Sequence, residues 1–514
     1  MKLMSALSVA CALLPPALML AAMPHGCTTP VPALWSRFQS LALPALVSSV
    51  AALALQLTAP PDGTRVDLSP WLTATLTGAW VAVLVQLLGT TIGFFSSRYL
   101  QGEPAQRRYV ASLGGVLAAV HLLLLADHWL VLIAAWAAVG AAMQPLLCFY
   151  GDRPFALLAA HKKRLGDRLA DLLLIAAATL AWNEVGSGSL SALWQHLQLG
   201  PASSALQASA VCLALAVVLR TALLPVHGWL IQVMEAPTPV SALLHAGVIN
   251  LGGFILIRFA SLLEAVPLAR WLLLVVGLLT ALLAGLVMLT RISIKVRLAW
   301  STVAQMGFMV MECGLGLYTL ALLHLLGHSL YKANAFLAAS GAVGETRRRV
   351  MRGHMAPSSA SLLVAPILSS MLVGGLVALL GAITPAAPWP WWWSAVLALA
   401  WAPLLWLPLQ RHPDAPGAVR GALTGAGMVA ALVLAAMVGH AVPFGLSDAP
   451  HDAAGLVALV GMAALYVCLA LMQSRSPLLT GWRRWSYAGF YIDEFVTRTA
   501  LRVWPARWTA PATP

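Results

Sequence analysis

The segment His324-Leu-Leu-Gly-His328-Ser-Leu-Tyr-Lys332 sets two imidazoles and an ammonium at i, i+4 and i+8. On an α-helix this spacing keeps the three groups within roughly a quarter turn of one another, in steps of about 6 Å along the axis. Histidine both gives and accepts protons near neutrality, and a lysine in apolar surroundings can exchange one. Such a stripe can relay protons. The plainer alternative is that each histidine satisfies a backbone carbonyl while Lys332 snorkels. Three ionisable groups on one stripe of an apolar segment favour the relay.

A second cluster runs from Arg220 through Pro225, His227, Glu235, Pro237, Pro239 and Ser241 to His245. Proline removes an amide donor and breaks a helix, and in a bilayer the freed carbonyls must face protein or a wet cavity. A broken helix flanked by Arg220 and His245 is a transporter feature. Asp171 is the third candidate, with either Arg168 or Arg220 as its partner.

The elements that hold these groups follow from composition. Of 514 residues, 60% are hydrophobic and 9% charged, and mean hydropathy is +0.85, far more apolar than a soluble enzyme. The apolar residues come in blocks of helix-spanning length, and alternating ten-residue segments are absent, so the fold is an all-α polytopic membrane protein and not a barrel. The spans are expected at 3–23, 38–58, 71–95, 109–126, 129–149, 168–183, 206–227, 238–260, 268–290, 297–315, 318–342, 360–383, 391–409, 421–441 and 453–472, about 15 transmembrane helices. Residues 1–23 are read as a span and not a signal peptide, because no small-residue cleavage site follows. The six cysteines lack Cys-x-x-Cys spacing, so no metal site and no cofactor is expected in this chain. The loops 184–205 and 343–359 are too short to fold alone.

An odd number of spans puts the termini on opposite sides. With the N-terminus outside, 24 of the 30 Lys and Arg residues collect on the inner face, as the positive-inside rule requires. They include Arg98, Arg107, Arg108, Arg153, Lys162, Lys163, Arg164, Arg168, Arg291, Lys295, Arg297, Arg347, Arg348, Arg349, Arg352, Arg411, Arg475 and Arg507. The net charge of +13 thus reports topology and a face toward anionic lipid or a cytoplasmic partner, not nucleic acid. In the tail, Ile492, Phe495, Val496, Thr499 and Val503 share one face of a surface helix.

From about Asp67 to Gly341 the chain resembles the antiporter-like subunits, namely subunit L of the proton-pumping NADH:quinone oxidoreductase and the Mrp cation/proton antiporters. The resemblance is carried by His227-Gly-Trp-Leu, by Met234-Glu-Ala-Pro-Thr-Pro-Val-Ser-Ala-Leu-Leu-His245, by Lys295-Val-Arg-Leu-Ala-Trp-Ser-Thr302 with Gln305-Met-Gly, and by His324 to Lys332. It implies that His245, His324, His328 and Lys332 are central proton-path residues. The organisation expected is N-terminal helices at 1–66, an antiporter-like core at 67–342, C-terminal helices at 343–472 and a tail at 473–514.

Ala246 to Arg258, Leu330-Tyr-Lys-Ala-Asn-Ala-Phe-Leu and the tail Gly489-Phe-Tyr-Ile-Asp493 with Trp504-Pro505 resemble one branch of that family, the membrane subunits of DAB inorganic-carbon accumulation complexes. This likeness implies a bacterial inner membrane and a large cytoplasmic partner, DabA, which is similar to β-type carbonic anhydrases and carries its own zinc. The chain departs from subunit L in three ways. Ala137 replaces the carboxylate after Trp136, leaving Asp171 as the one acid expected in that cluster. Arg220 replaces a lysine, and no lysine follows Lys332. These losses suit a subunit that lets protons or sodium ions run downhill to drive CO2 hydration in its partner. The rival expectations are a redox-linked or Mrp-type antiporter subunit and a non-conducting anchor.

Overall fold

In a bilayer no water bonds a free backbone amide, so each long apolar run satisfies its own amides as helix. The computed structural model describes residues 2–24, 29–59, 65–339, 357–382, 389–407, 415–473 and 480–506. It begins with α1 (Lys2–Ala21) and α2 (Val31–Thr58), followed by a hairpin of β1 (Arg65–Ser69) and β2 (Leu72–Thr75). The two strands pair antiparallel, Arg65 opposite Thr75 and Asp67 opposite Thr73. The span expected from residue 71 therefore starts at Leu76. Thr75 ends the strand and caps the next helix, its side chain accepting from Gly78 N, as an N-cap threonine does.

Next come α3 (Leu76–Tyr99), α4 (Gln106–Leu125), α5 (Trp129–Leu147), α6 (Pro154–Val185), α7 (Leu190–Leu199) and α8 (Ser204–Arg220). The polar stretch 184–205 thus holds a short helix, capped by Ser189. The proline-rich region gives α9 (Gly228–Gln232), a 3-10 turn at Val233–Glu235 and α10 (Thr238–Ala246). A second 3-10 turn at Val248–Asn250 leads into α11 (Leu251–Arg258) and α12 (Ala260–Ala265). Then follow α13 (Pro267–Leu289), α14 (Ile294–Leu315), α15 (Tyr318–Leu337), α16 (Ser359–Gly381), α17 (Trp391–Trp401), α18 (Ala415–His440) and α19 (Asp452–Gln473). The tail forms α20 (Thr480–Tyr487) and α21 (Ile492–Val503).

Among the described residues, nine helical segments are long and apolar enough to cross a membrane, counting Thr238–Arg258 as one. Arg347, Arg348, Arg349, Arg352, Arg411, Arg475 and Arg507, and residues 343–356 of the polar stretch 343–359, lie outside the described residues.

The core gathers on fully buried Tyr109, Trp129, Phe254 and Phe259. Helices α13 and α14 cross where Gly277 meets Gly307: a Cβ on Gly277 would lie 2.6 Å from the Gly307 carbonyl oxygen, so only glycine permits this approach. Around the outside, Leu172, Leu279, Leu363, Met371, Leu423 and Val460 are exposed, the apolar belt a bilayer requires.

Contacts define two ends. At one, Arg108 donates to the Cys148 and Phe149 carbonyls at 3.2 and 3.0 Å, and Arg153 donates to the Glu235 carbonyl at 2.6 Å. At the other, Arg65 meets Asp127 at 3.0 Å, Arg258 donates to the Ala126 carbonyl at 2.5 Å, and Arg270 donates to the Ala449 carbonyl at 2.7 Å. Arg98, Arg107, Arg291 and Arg297, at the ends of α3, α4, α13 and α14 on the same side as Arg108 and Arg153, make the first the arginine-rich end.

Candidate ion path

Proline writes the local structure around the site. Pro225 lies between the end of α8 and the start of α9, Pro237 is the N-cap of α10 and Pro239 sits in its first turn. The sequence missed a further break at Gly247 (φ −118°, ψ −78°), two residues after His245. Asn250 bridges it, donating from Nδ2 to the Ala246 carbonyl at 2.9 Å and to Ser329 Oγ on α15 at 2.7 Å. This fixes His245 against α15, where its ring stacks on Phe336 with centroids 4.7 Å apart.

The α15 stripe is assembled, with His328 and Lys332 buried and His324 half-buried. His324 and His328 rings lie 6.0 Å apart, and Lys332 follows His328 one turn along the same helix. Both ring nitrogens of His245 and of His328, and Ser241 Oγ, are buried without a partner among the described residues. Lys332 Nζ donates to the Leu298 carbonyl at 2.9 Å and contacts Ser301 Oγ on α14.

At the other end of the stripe stands a residue the sequence reading passed over. Glu312, buried on α14, pairs with His324 Nδ1 at 2.8 Å. An acid inside the apolar segment 297–315 was the signal that could have found it. From Glu312 to Ser301 the α14 axis rises about 16 Å, roughly half the hydrocarbon thickness.

Trp300, beside Ser301, continues the series. His227 is buried with its ring 4.8 Å from that of Trp300, and its Nδ1 lies 3.3 Å from the Pro225 carbonyl. Two residues on, the Trp229 ring faces Lys163 Nζ at 5.4 Å, within cation–π reach. Lys163 is paired with Asp167 one turn along α6.

Arg220 contacts the Asp171 carboxylate, donates to the Trp136 carbonyl at 2.8 Å and lies 4.6 Å above the Trp136 ring. Arg168, exposed, stands 3.6 Å from the same carboxylate. Both partners left open for Asp171 are therefore engaged, with Arg220 the closer.

Two expectations need correction. Asp171 is not the one acid of this cluster, because Asp167 also acts on Arg220 and its carboxylate lies beside Gly140 on α5. Lys162 and Lys163 do not present their charge to lipid or a partner as members of the basic inner face: both are buried and ion-paired, Lys162 with Asp493. Lysine and aspartate four apart in α6 should have signalled the second pair. Of the supporting residues, Glu235 is held by its backbone, and its Oε2 is buried without a partner. Lys295 is partly exposed and joins no ion pair among the described residues.

The tail forms the expected surface helix at Ile492–Val503, with Phe495 and Val503 of its apolar face exposed. It is the Asp493–Thr497 edge that docks.

A family model described as "NADH:quinone oxidoreductase/Mrp antiporter, TM" matches residues 126–402. The chain is 40% identical over 454 residues to the probable inorganic carbon transporter subunit DabB of Hydrogenovibrio crunogenus, covering 85% of this chain and 86% of that one. It is 37% identical over 443 residues to DabB2 of Halothiobacillus neapolitanus, covering 83% and 79%. Subunit L of NADH-quinone oxidoreductase from Mycobacterium tuberculosis is 34% identical over 266 residues, 51% of this chain and 41% of that subunit. A solved structure of the Mrp complex from Dietzia superposes with a TM-score of 0.54 at 21% identity, covering 99% of this chain and 58% of that one. The chain belongs to the NADH:quinone oxidoreductase/Mrp antiporter membrane family and, within it, to the DabB branch.

Proposed function

We propose that the chain conducts protons, or sodium ions in their place, toward its arginine-rich end, which faces the cytoplasm of a bacterial inner membrane with the N-terminus outside. The path uses Asp171, Arg220, His245, His324, His328 and Lys332. The downhill flow drives one-way hydration of CO2 to bicarbonate by a large cytoplasmic subunit, DabA, that carries zinc and resembles carbonic anhydrases. The observation that carries this reading is the buried polar series from Glu312 and His324 to Lys332, continuing through His227 and Lys163 to Arg220 and Asp171. Supporting it, the relative from Hydrogenovibrio crunogenus is described as an inorganic carbon transporter subunit.

Magnitude is not an obstacle. Each charge moved inward releases about 2.3 kcal/mol per 100 mV, enough for one proton to bias a reversible hydration more than tenfold. Arg220 stays protonated in any protein environment, so it acts as a fixed charge and Asp171 as its counter-ion. The test is to co-purify the complex, assay zinc in the soluble partner, and follow proton and sodium flux in proteoliposomes with wild type and Lys332→Ala. Flux that disappears with Lys332→Ala supports the reading. If Lys332→Ala conducts normally, or if uncouplers leave bicarbonate accumulation in cells intact, a non-conducting anchor replaces it.

A further inference from the structure

The tail helix α21 is held by an acid, and that acid sits at the mouth of the broken helix. The Asp493 carboxylate contacts Lys162 Nζ and accepts from Gln232 Nε2 at 3.1 Å. Lys162 also donates to Thr497 Oγ1 at 2.8 Å. The carboxylate lies directly on Gly228, where any Cβ would collide with it. One residue away is His227, buried, with Nε2 unpartnered among the described residues. Gly489, Phe490 and Tyr491, with left-handed φ of 64°, 58° and 56°, set the start of α21 at this spot. For the two non-glycine residues that conformation is strained, and the docking must offset it.

Exposure is unequal across the pair. The Lys162 side chain is 4% exposed and that of Asp493 26%, so the ammonium is closed off from solution while the carboxylate reaches it. The pair thus joins a group shut away from solution to one that reaches it. An exchange site needs that arrangement.

We propose that Asp493 is the exchange carboxylate through which protons pass between the buried path and solution at the arginine-rich end. In the step, the Lys162 ammonium gives one proton to Asp493, leaving a neutral amine and a carboxylic acid. The acid then releases that proton to water, and the amine takes the next proton from the path. The proposal rests on the conduction reading above and adds to it a residue supplied by the tail.

The test compares Asp493→Asn with Asp493→Glu in proteoliposome proton flux, with Lys332→Ala alongside. Asparagine keeps the size and the Gln232 contact but cannot exchange a proton. Glutamate keeps the acid but is a methylene too long for the space beside Gly228. Exchange at this site predicts a loss of about tenfold or more for Asn and a clearly smaller loss for Glu. Equal losses, a larger loss for Glu, or wild-type flux with Asn overturns the proposal and leaves a docking role. If Lys332→Ala keeps full flux, the conduction reading itself fails, and the exchange site with it.

Discussion

Arg220 and Asp171 meet across the packing of α8 on α6, both largely buried, with the guanidinium also hydrogen-bonded to the Trp136 carbonyl and lying over its ring. Arg220 is thus held on three sides. Because removing one partner of a buried pair strands the other, Arg220→Gln and Asp171→Asn should each cost about 3 to 5 kcal/mol of stability. Both should also lower flux. The double variant should lose less than the sum of the two, as paired residues do. Melting and flux of the three variants check this, and strictly additive losses would dissolve the pair.

Glu312 should matter as much as the histidine it holds. Glu312→Gln leaves a group that can still hydrogen-bond His324 Nδ1 but removes the carboxylate charge from this end of the stripe. We expect flux to fall about tenfold or more, to the level of His324→Ala. The glutamine variant conducting like wild type would make Glu312 a packing feature only.

The stripe on α15 was legible because it is periodic: His324, His328 and Lys332 lie on one helix, and helical spacing alone puts them together. The breaks at Pro225 and Pro237 were legible for the same local reason, since proline acts on its own backbone. What was not legible depends on partners distant in sequence. Glu312 gains meaning from His324 on the next helix, Lys162 from Asp493 more than 300 positions later, and Asp167 from its approach to α5. Lysines 162 and 163 look solvated in a run of basic residues, and only packing against α9 and α21 buries them. The hairpin before α3 was hidden because Leu72 to Thr75 is apolar enough to read as the start of a span.

Asp448 lies outside the spans, in the segment between α18 and α19, where it accepts from the backbone N of Thr319 at 2.8 Å and so caps α15. Burial pushes its carboxyl above the ordinary carboxylate range, partly offset by that hydrogen bond. A folded-state value above the unfolded one means the native protein holds the proton longer. The contribution of Asp448 is therefore fully present below the unfolded value and is lost as pH rises through the folded one. Asp448→Asn keeps an acceptor for Thr319 without the buried charge. Its melting temperature in detergent should exceed that of wild type at pH 7, and the gap should close toward pH 3. A gap that does not change with pH removes the charge from the explanation.

The break at Gly247 is the last feature with a direct consequence. It lets the chain turn between α10 and α11 so that His245 lies against α15, and Asn250 ties the turn to Ser329. A Cβ at 247 would stand 2.8 Å from the Leu243 carbonyl oxygen, a backbone atom that cannot swing aside, so Gly247→Ala must shift the end of α10. Asn250→Leu attacks the same turn differently: it leaves the Ala246 carbonyl and Ser329 without their donor, a cost of about 1 to 3 kcal/mol for a buried group. Both variants should displace His245 from Phe336 and lower flux, while the Arg220–Asp171 pair stays intact. Cysteine cross-linking between position 245 and position 328 measures the displacement independently of flux. If cross-linking in both backgrounds matches that in the otherwise unaltered chain while flux falls, the turn acts on conduction by some route other than positioning His245.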